Sequence, residues 1–267
     1  MGERCPVPHP PSRRREVGID PVTGAFLGLL LLVVPLSPPS SLERGDEAFA
    51  SLRYPLAESL YDSALTTSVD SADVLWRLAR VCVCVADISP RGERLDLYRR
   101  ADAFARRCIL ADSTKGEGHT WRAAALGNIA MFEGGKAKVR LCSVIKQELT
   151  CSISLNPRDD IAYSILGSFY MALGNVSWLE RQLAAVFLGS LPDGGYDEAE
   201  TALRKAIALA PDVIRHHFEL GELCMLQHRN QEALSEFRKV ESLPVLLARD
   251  RRSQTVAAGL VKELTDE

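Results

Sequence analysis

The chain has 267 residues, a formal net charge of −3, 25% charged residues, five histidines and seven cysteines. Charge this close to balance gives no global attraction to nucleic acid or to an anionic membrane surface. The odd, scattered set Cys5, Cys82, Cys84, Cys108, Cys142, Cys151 and Cys224 reads as small core residues of a reducing compartment rather than as a disulfide framework.

Residues 1–42 stand apart from the rest. They are proline-rich, basic at Arg13, Arg14 and Arg15, and apolar from Ala25 to Leu36. A positive region ahead of a short apolar run is the layout of a signal peptide or short anchor, although the run is too short to span a bilayer comfortably. Glu3, Glu16 and Asp20 make it a poor mitochondrial presequence. Residues 21–36 are therefore either a membrane tether or part of a disordered, untargeted tail, and residues 43–267 form the helical domain.

Glu43 to Thr67 has Ala48, Leu52, Leu56, Leu60 and Ala64 at helical spacing, with Pro55 expected to kink or interrupt the helix. Ser71 then offers an N-cap before Leu75, Leu78, Ala79 and Cys82, which with Ala101, Ala105 and Cys108 suggest a degenerate helix pair. Its halves are too far apart for a standard unit, so Ser89-Pro90-Arg91-Gly92 is expected to form an extra loop. A second degenerate pair carries Trp121, Ala125 and Leu126, then Ile145, Leu149 and Ser152.

From Pro157 to Val245 a pattern of small and large residues occurs twice. The first copy has Tyr163, Leu166, Gly167, Tyr170, Ala199, Leu203, Ala206 and Pro211; the second has His217, Leu220, Gly221, Cys224, Ala233, Phe237 and Val240. Ala199 and Ala233 are 34 residues apart, the length of a tetratricopeptide repeat of two helices. Pairs this short cannot bury their apolar faces alone and so stack on one another. Asp159, Asp160 and Asp212 suit the starts of the helices that follow Pro157 and Pro211. Between Tyr170 and Ala199 lie 20 residues more than in the second copy. They include Trp178-Leu179-Glu180-Arg181 and the apolar Leu183 to Leu188, which are either a further helix on the array or an exposed apolar patch that binds something. Residues 249–267 read as a polar helix capping the stack. The fold expected is all-α, a solenoid of about four tetratricopeptide-like pairs with insertions and a C-terminal cap.

No catalytic constellation stands out. His9, His119, His216, His217 and His228 include one, His217, at a packing position, which makes it a structural group. Gly134-Gly135-Lys136 lacks the strand that a phosphate loop follows, and no G-x-S-x-G elbow occurs. Cys82-x-Cys84 has no histidine pair at zinc spacing. Neither metal nor cofactor is expected. Lys136, Lys138, Arg140 and Lys146 form the densest basic run of the repeats, either a solvated face or a contact for an acidic partner.

Several segments resemble one family of divergent tetratricopeptide proteins, the regulators of microtubule dynamics. They are Leu75-Trp76-Arg77-Leu78-Ala79-Arg80, Glu133-Gly134-Gly135-Lys136-Ala137-Lys138, Ile145-Lys146, Leu155-Asn156-Pro157-Arg158-Asp159, and Trp178-Leu179-Glu180-Arg181 leading to Ser190-Leu191-Pro192 and Tyr196-Asp197-Glu198-Ala199. Together they cover roughly residues 70–250, outside the N-terminal segment. Arg122 stands where the family tends to have tyrosine after Trp121. The resemblance implies a non-enzymatic protein that regulates microtubule dynamics or spindle organisation, in the cytoplasm, on microtubules, spindle and spindle poles, or on mitochondria. Its partner would be tubulin or a microtubule-associated protein. The alternative is a tetratricopeptide adaptor that binds a protein at an organelle membrane such as the mitochondrial outer membrane.

Overall fold

Helix formation begins at a capping box. Ser40 Oγ accepts from the Glu43 backbone N–H at 3.2 Å, and the Glu43 carboxylate accepts from the Ser40 N–H at 2.7 Å, starting α1 at Ser41. The structure is a computed structural model that describes residues 39–67, 71–177, 181–182 and 190–266. Among them are eleven helices: α1 (Ser41–Ala50), α2 (Tyr54–Thr67), α3 (Ala72–Ile88), α4 (Arg91–Ala111), α5 (Gly116–Glu133), α6 (Gly135–Leu155), α7 (Asp160–Gly174), α8 (Tyr196–Leu209), α9 (Ile214–Leu226), α10 (Asn230–Ser242) and α11 (Asp250–Asp266). The candidate tether at residues 21–36 lies outside the described residues, as does most of the stretch expected to add a helix or patch after Tyr170.

Two connections differ from the sequence expectation. The break after α1 falls at Ser51, Leu52 and Arg53, ahead of Pro55, and Leu52 takes a left-handed φ of 59°. Pro55 is the second residue of α2, where its missing N–H removes no helical bond. The result is a helix pair ahead of the four read from the sequence. It packs on α3 in a core containing Phe49, Tyr54, Tyr61, Val74, Leu78 and Val81. The extra loop expected at Ser89-Pro90-Arg91-Gly92 is absent. Only Ser89 and Pro90 separate α3 from α4, and the extra residues lengthen the helices to 17 and 21 residues. Proline cannot continue α3 but can start α4, so Arg91 and Gly92 already belong to the next first turn. Between α5 and α6 a single residue suffices, because Gly134 adopts φ 91°, open to glycine without strain.

The helices stack as pairs α3/α4, α5/α6, α7/α8 and α9/α10, with α11 against α10 and α9. First helices of successive pairs also touch one another, α3 with α5, α5 with α7 and α7 with α9, so they line the inner face of the array. Ala199, Leu203, Ala206, Ala233, Phe237 and Val240 are fully buried, and Leu220 and Cys224 nearly so. Tyr163, Leu166 and Tyr170 are only half-buried and line a shallow groove with Thr201, Ala202 and Lys205 of α8. Asp159 is the N-cap of α7, accepting from the Ala162 N–H at 3.0 Å; Asp212 lies just ahead of Val213, the N-cap of α9.

Two glycines set the approach of the paired helices. A Cβ on Gly167 would meet Leu203 Cγ at 2.5 Å, and one on Gly221 would meet Phe237 Cε1 at 2.6 Å. Overpacking of this kind costs about 1–3 kcal/mol and outweighs the roughly 0.5–1 kcal/mol a helix gains from glycine to alanine. Gly167→Ala and Gly221→Ala should therefore each lower the urea midpoint. Gly127→Ala, whose Cβ meets nothing within 4 Å, should raise it by the equivalent of about 0.5 kcal/mol. A stabilised Gly221→Ala chain would contradict this account of the packing.

Candidate functional site

The inner face is polar where a peptide groove would be expected. On α9 the spacing of Arg215, Glu219 and Glu222 places all three on one side. Arg215 Nε donates to Glu219 Oε1 at 2.7 Å and to Ser164 Oγ of α7 at 3.0 Å, while the Ser164 hydroxyl donates to Glu219 Oε2 at 3.0 Å. Arg215 Nη2 reaches Ser168 Oγ at 3.4 Å. Burial lowers the pKa of Arg215, and the positive charge of Arg249 adds to the effect against Glu219 and Asp87.

Arg249 belongs to residues 243–249, the connection between α10 and α11, which reaches across to the first helices of the array. Arg249 Nη1 donates to Asp87 Oδ2 at 2.9 Å, and the Tyr98 hydroxyl donates to Asp87 Oδ1 at 3.1 Å. The Ala248 N–H donates to the Tyr54 hydroxyl oxygen at 2.9 Å. Leu247 and Ala248 pack on the core formed by α1, α2 and α3. The groove is thus bridged by the chain's own backbone, with the α3 end on one side and the α9–α11 end on the other.

The basic run is not one patch. Its residues lie on α6, the second helix of its pair, away from the inner face that carries Arg215 and Glu219. Lys136 and Arg140 share a face one turn apart, Lys138 points elsewhere, and all three are exposed. Arg140 pairs with Glu133 at 3.2 Å. Lys146 is turned inward: its Nζ lies 4.2 Å from the Tyr170 ring centroid and donates to the Tyr170 hydroxyl.

The buried histidines are clasped by carboxylates. His217 Nδ1 lies 2.6 Å from Glu236 Oε2 and Nε2 lies 2.8 Å from the Pro211 carbonyl; His119 makes the same pair of contacts to Glu148, at 2.6 Å, and to the Ser113 carbonyl, at 3.4 Å. Each joins the two helices of its pair and the turn before them. His216 Nε2 lies 2.9 Å from Asp160 Oδ2, joining α9 to α7. Arg122 reaches Glu148 at 2.6 Å and Asp102 at 3.4 Å, so it ties α5 to α6 and α4. Cys82, Cys84, Cys108, Cys142 and Cys224 are free thiols, and burial pushes those of Cys82, Cys84 and Cys108 up to about 12, too high for nucleophilic use. Among the described residues no group of three or more His, Cys, Asp and Glu could hold a metal, and no helix is long and apolar enough to cross a membrane.

The residues that converge on the groove, Tyr54, Asp87, Tyr98, Arg215, Glu219, Glu222 and Arg249, carry no motif. The one signal in the sequence was the spacing of Arg215, Glu219 and Glu222 on one side of α9. Arg77 and Arg80, within a segment that carried the family resemblance, meet Asp46 of α1 at 2.8 and 3.4 Å and fasten the first pair to α3.

The family model described as regulator of microtubule dynamics protein 1-3 matches residues 41–265. A regulator of microtubule dynamics protein 1 from Bos taurus is 27% identical over 224 residues, 79% of this chain and 71% of that protein. A regulator of microtubule dynamics protein 2 from Homo sapiens is 25% identical over 187 residues, 69% of this chain but 46% of that protein. Among solved structures, a thermophilic TPR protein of Thermus thermophilus superposes with a TM-score of 0.58 at 21% identity, covering 83% of this chain and 97% of that one. The fold is therefore that of tetratricopeptide helical repeats.

Burial, with the like charge of Glu219 adding to it, pushes the Glu222 carboxyl from 4.5 up to about 7. An acid raised in the folded state is held preferentially protonated there, so the contribution of Glu222 to stability is fully present below pH 4.5 and is lost as pH rises through about 7. Glu222→Gln should leave stability unchanged near pH 4.5 and raise it at pH 8 by about 1–2 kcal/mol, after allowance for solvent screening. Thermal melts of both chains at the two pH values would check this, and equal gains at both would contradict it.

Proposed function

The chain belongs to the regulator of microtubule dynamics protein 1-3 family, and from that premise we propose that it is a non-enzymatic helical-repeat scaffold that binds microtubules or a microtubule-associated partner. The observation that carries this reading is the family match across the whole helical array, from residue 41 to residue 265. In this proposal Lys136, Lys138 and Arg140 form the exposed part of a contact with the acidic tubulin surface, and Lys146 instead props Tyr170. The action on microtubule dynamics or spindle organisation, the spindle and spindle-pole addresses, and a mitochondrial placement through a tether at residues 21–36 belong to the same proposal. So does the division into a segment of residues 1–42 and a helical domain of residues 43–267.

Co-sedimentation of the full chain with stabilised microtubules tests it. The chain should pellet at low salt and progressively less as ionic strength rises toward about 0.2 M, where exposed charges are screened within about 8 Å. Reversing Lys136, Lys138 and Arg140 to glutamate should weaken binding about tenfold, equivalent to about 1.4 kcal/mol. Absence of pelleting at low salt would remove direct binding. Imaging with and without residues 1–42 separates the two addresses: loss of an organelle pattern on truncation favours the tethered adaptor, and unchanged filament decoration favours the microtubule reading.

A further inference from the structure

The connection between α10 and α11 is seated on the groove much as a bound peptide would be. Its contacts with α1–α4 are a backbone N–H on the Tyr54 hydroxyl, a guanidinium on Asp87, and two partly buried side chains, Leu247 and Ala248, on an apolar core. Leu247-Ala248-Arg249 make these contacts from a turn, closed by the Asp250 N–H on the Leu247 carbonyl at 2.9 Å, and a segment of similar sequence that folds into the same turn could present the same groups. They join positions 194 and 162 residues apart, whereas the pairs of the array contact their neighbours in order.

Bonds among α10, the connection and α11, one of them at Leu247 itself, hold the segment independently of that contact. Asp250 Oδ2 accepts from the Leu246 and Leu247 N–H groups at 3.0 and 2.7 Å, and Gln254 Nε2 donates to the Val240 and Leu243 carbonyls at 3.3 and 2.9 Å. α11 therefore keeps its seat on α10 without help from Tyr54 or Asp87. Leu246 is 45% exposed and Pro244 is also exposed, whereas Leu247, Ala248 and Arg249 are partly buried against the first helices, so an incoming chain meets the segment first at its α10 end.

We propose that Tyr54, Asp87 and Tyr98, with the apolar surface between them, form a peptide-recognition site. Its resident occupant is this chain's own Leu247-Ala248-Arg249, and its exchangeable ligand is a partner segment presenting an apolar residue, a small residue and an arginine in that order. Tyr98 sets the Asp87 carboxylate, which takes the arginine in a charge-assisted bond. The adjoining small residue lets its backbone N–H reach Tyr54, and the apolar residue occupies the place of Leu247. Tethering gives the resident segment a local concentration in the millimolar range, so a site of modest affinity stays filled until a tighter or multivalent partner arrives. The proposal rests on these contacts and not on the microtubule reading, and either can fail without the other.

The test uses the isotope-labelled full chain and an eight-residue peptide with the sequence of residues 243–250. The native chain should show no resonance changes with peptide up to about 1 mM, because the tethered segment outcompetes it. A chain carrying Leu247→Ala and Arg249→Ala should bind the peptide, with saturating shifts around Tyr54 and Asp87. Adding Asp87→Asn to that chain, or removing the arginine from the peptide, should weaken binding at least about tenfold. If the double variant loses its dispersed spectrum, Arg249→Ala alone serves as the emptied chain. No shifts in the emptied chain, or shifts that persist undiminished with Asp87→Asn, would overturn the proposal.

Discussion

The ring of Phe237 lies where a side chain on Gly221 would have to be, and Leu203 stands in the same relation to Gly167. Everything else in the array depends on that approach. With a Cβ at either glycine the paired helices would move apart, and the apolar surface between α9 and α10, or between α7 and α8, would lose its fit. A fully buried phenylalanine contributes about 2–3 kcal/mol through the water it no longer touches. It does so only in a slot that excludes water, and the slot is made of two helices that have no reason to adhere separately. The same necessity acts between pairs, since each leaves an apolar face for the next to cover. Polar clasps then fix the register: His119 with Glu148, His217 with Glu236, and Thr120 with Ser152 and Asp159, the first at 2.6 Å and the last also at 2.6 Å.

Stacking curves the first helices around an inner face, and the chemistry of that face differs from the core between the pairs. Arg215, Glu219, Asp87 and Arg249 are withdrawn from water in matched pairs. Buried pairs of this kind add little net stability against well-packed apolar groups, because desolvation cancels much of the attraction. Removing one partner is expensive, however, so they discriminate strongly between arrangements. Charge pairing here selects how the two ends of the array meet, and an unpaired charge is what an incoming ligand would have to avoid leaving behind.

The outer surface shows the difference between density along the chain and density in space. Four cations within eleven positions of α6 look like a patch in one dimension. Successive residues of a helix turn by about 100°, so Lys138 faces away from Lys136 and Arg140, and Lys146 falls on the side where α7 offers the ring of Tyr170. Arg140 is further engaged by Glu133 from the preceding helix. The surface that remains is smaller and more dilute than the run suggests.

Packing periodicity was the part of this protein that its sequence alone determined. The 34-residue step, the glycine and alanine positions and the capping residue Asp159 all express contacts within a pair or between neighbours, and such contacts recur at fixed offsets. Arg122 was visible only as a departure from the family pattern, and its role became plain once Glu148 and Asp102 stood beside it. The extra length between the halves of the first unit was visible too, but not its form. Helix extension and loop insertion add the same number of residues, and only the placement of Pro90 at the start of α4 against the end of α3 chose between them. The closure of the groove was decided wholly by tertiary structure. Tyr54, Asp87 and Arg249 sit 162 residues or more apart across that contact, with no repeat relating them. The curvature of the whole stack, summed from every pair interface, is what carries them within 3 Å of their partners.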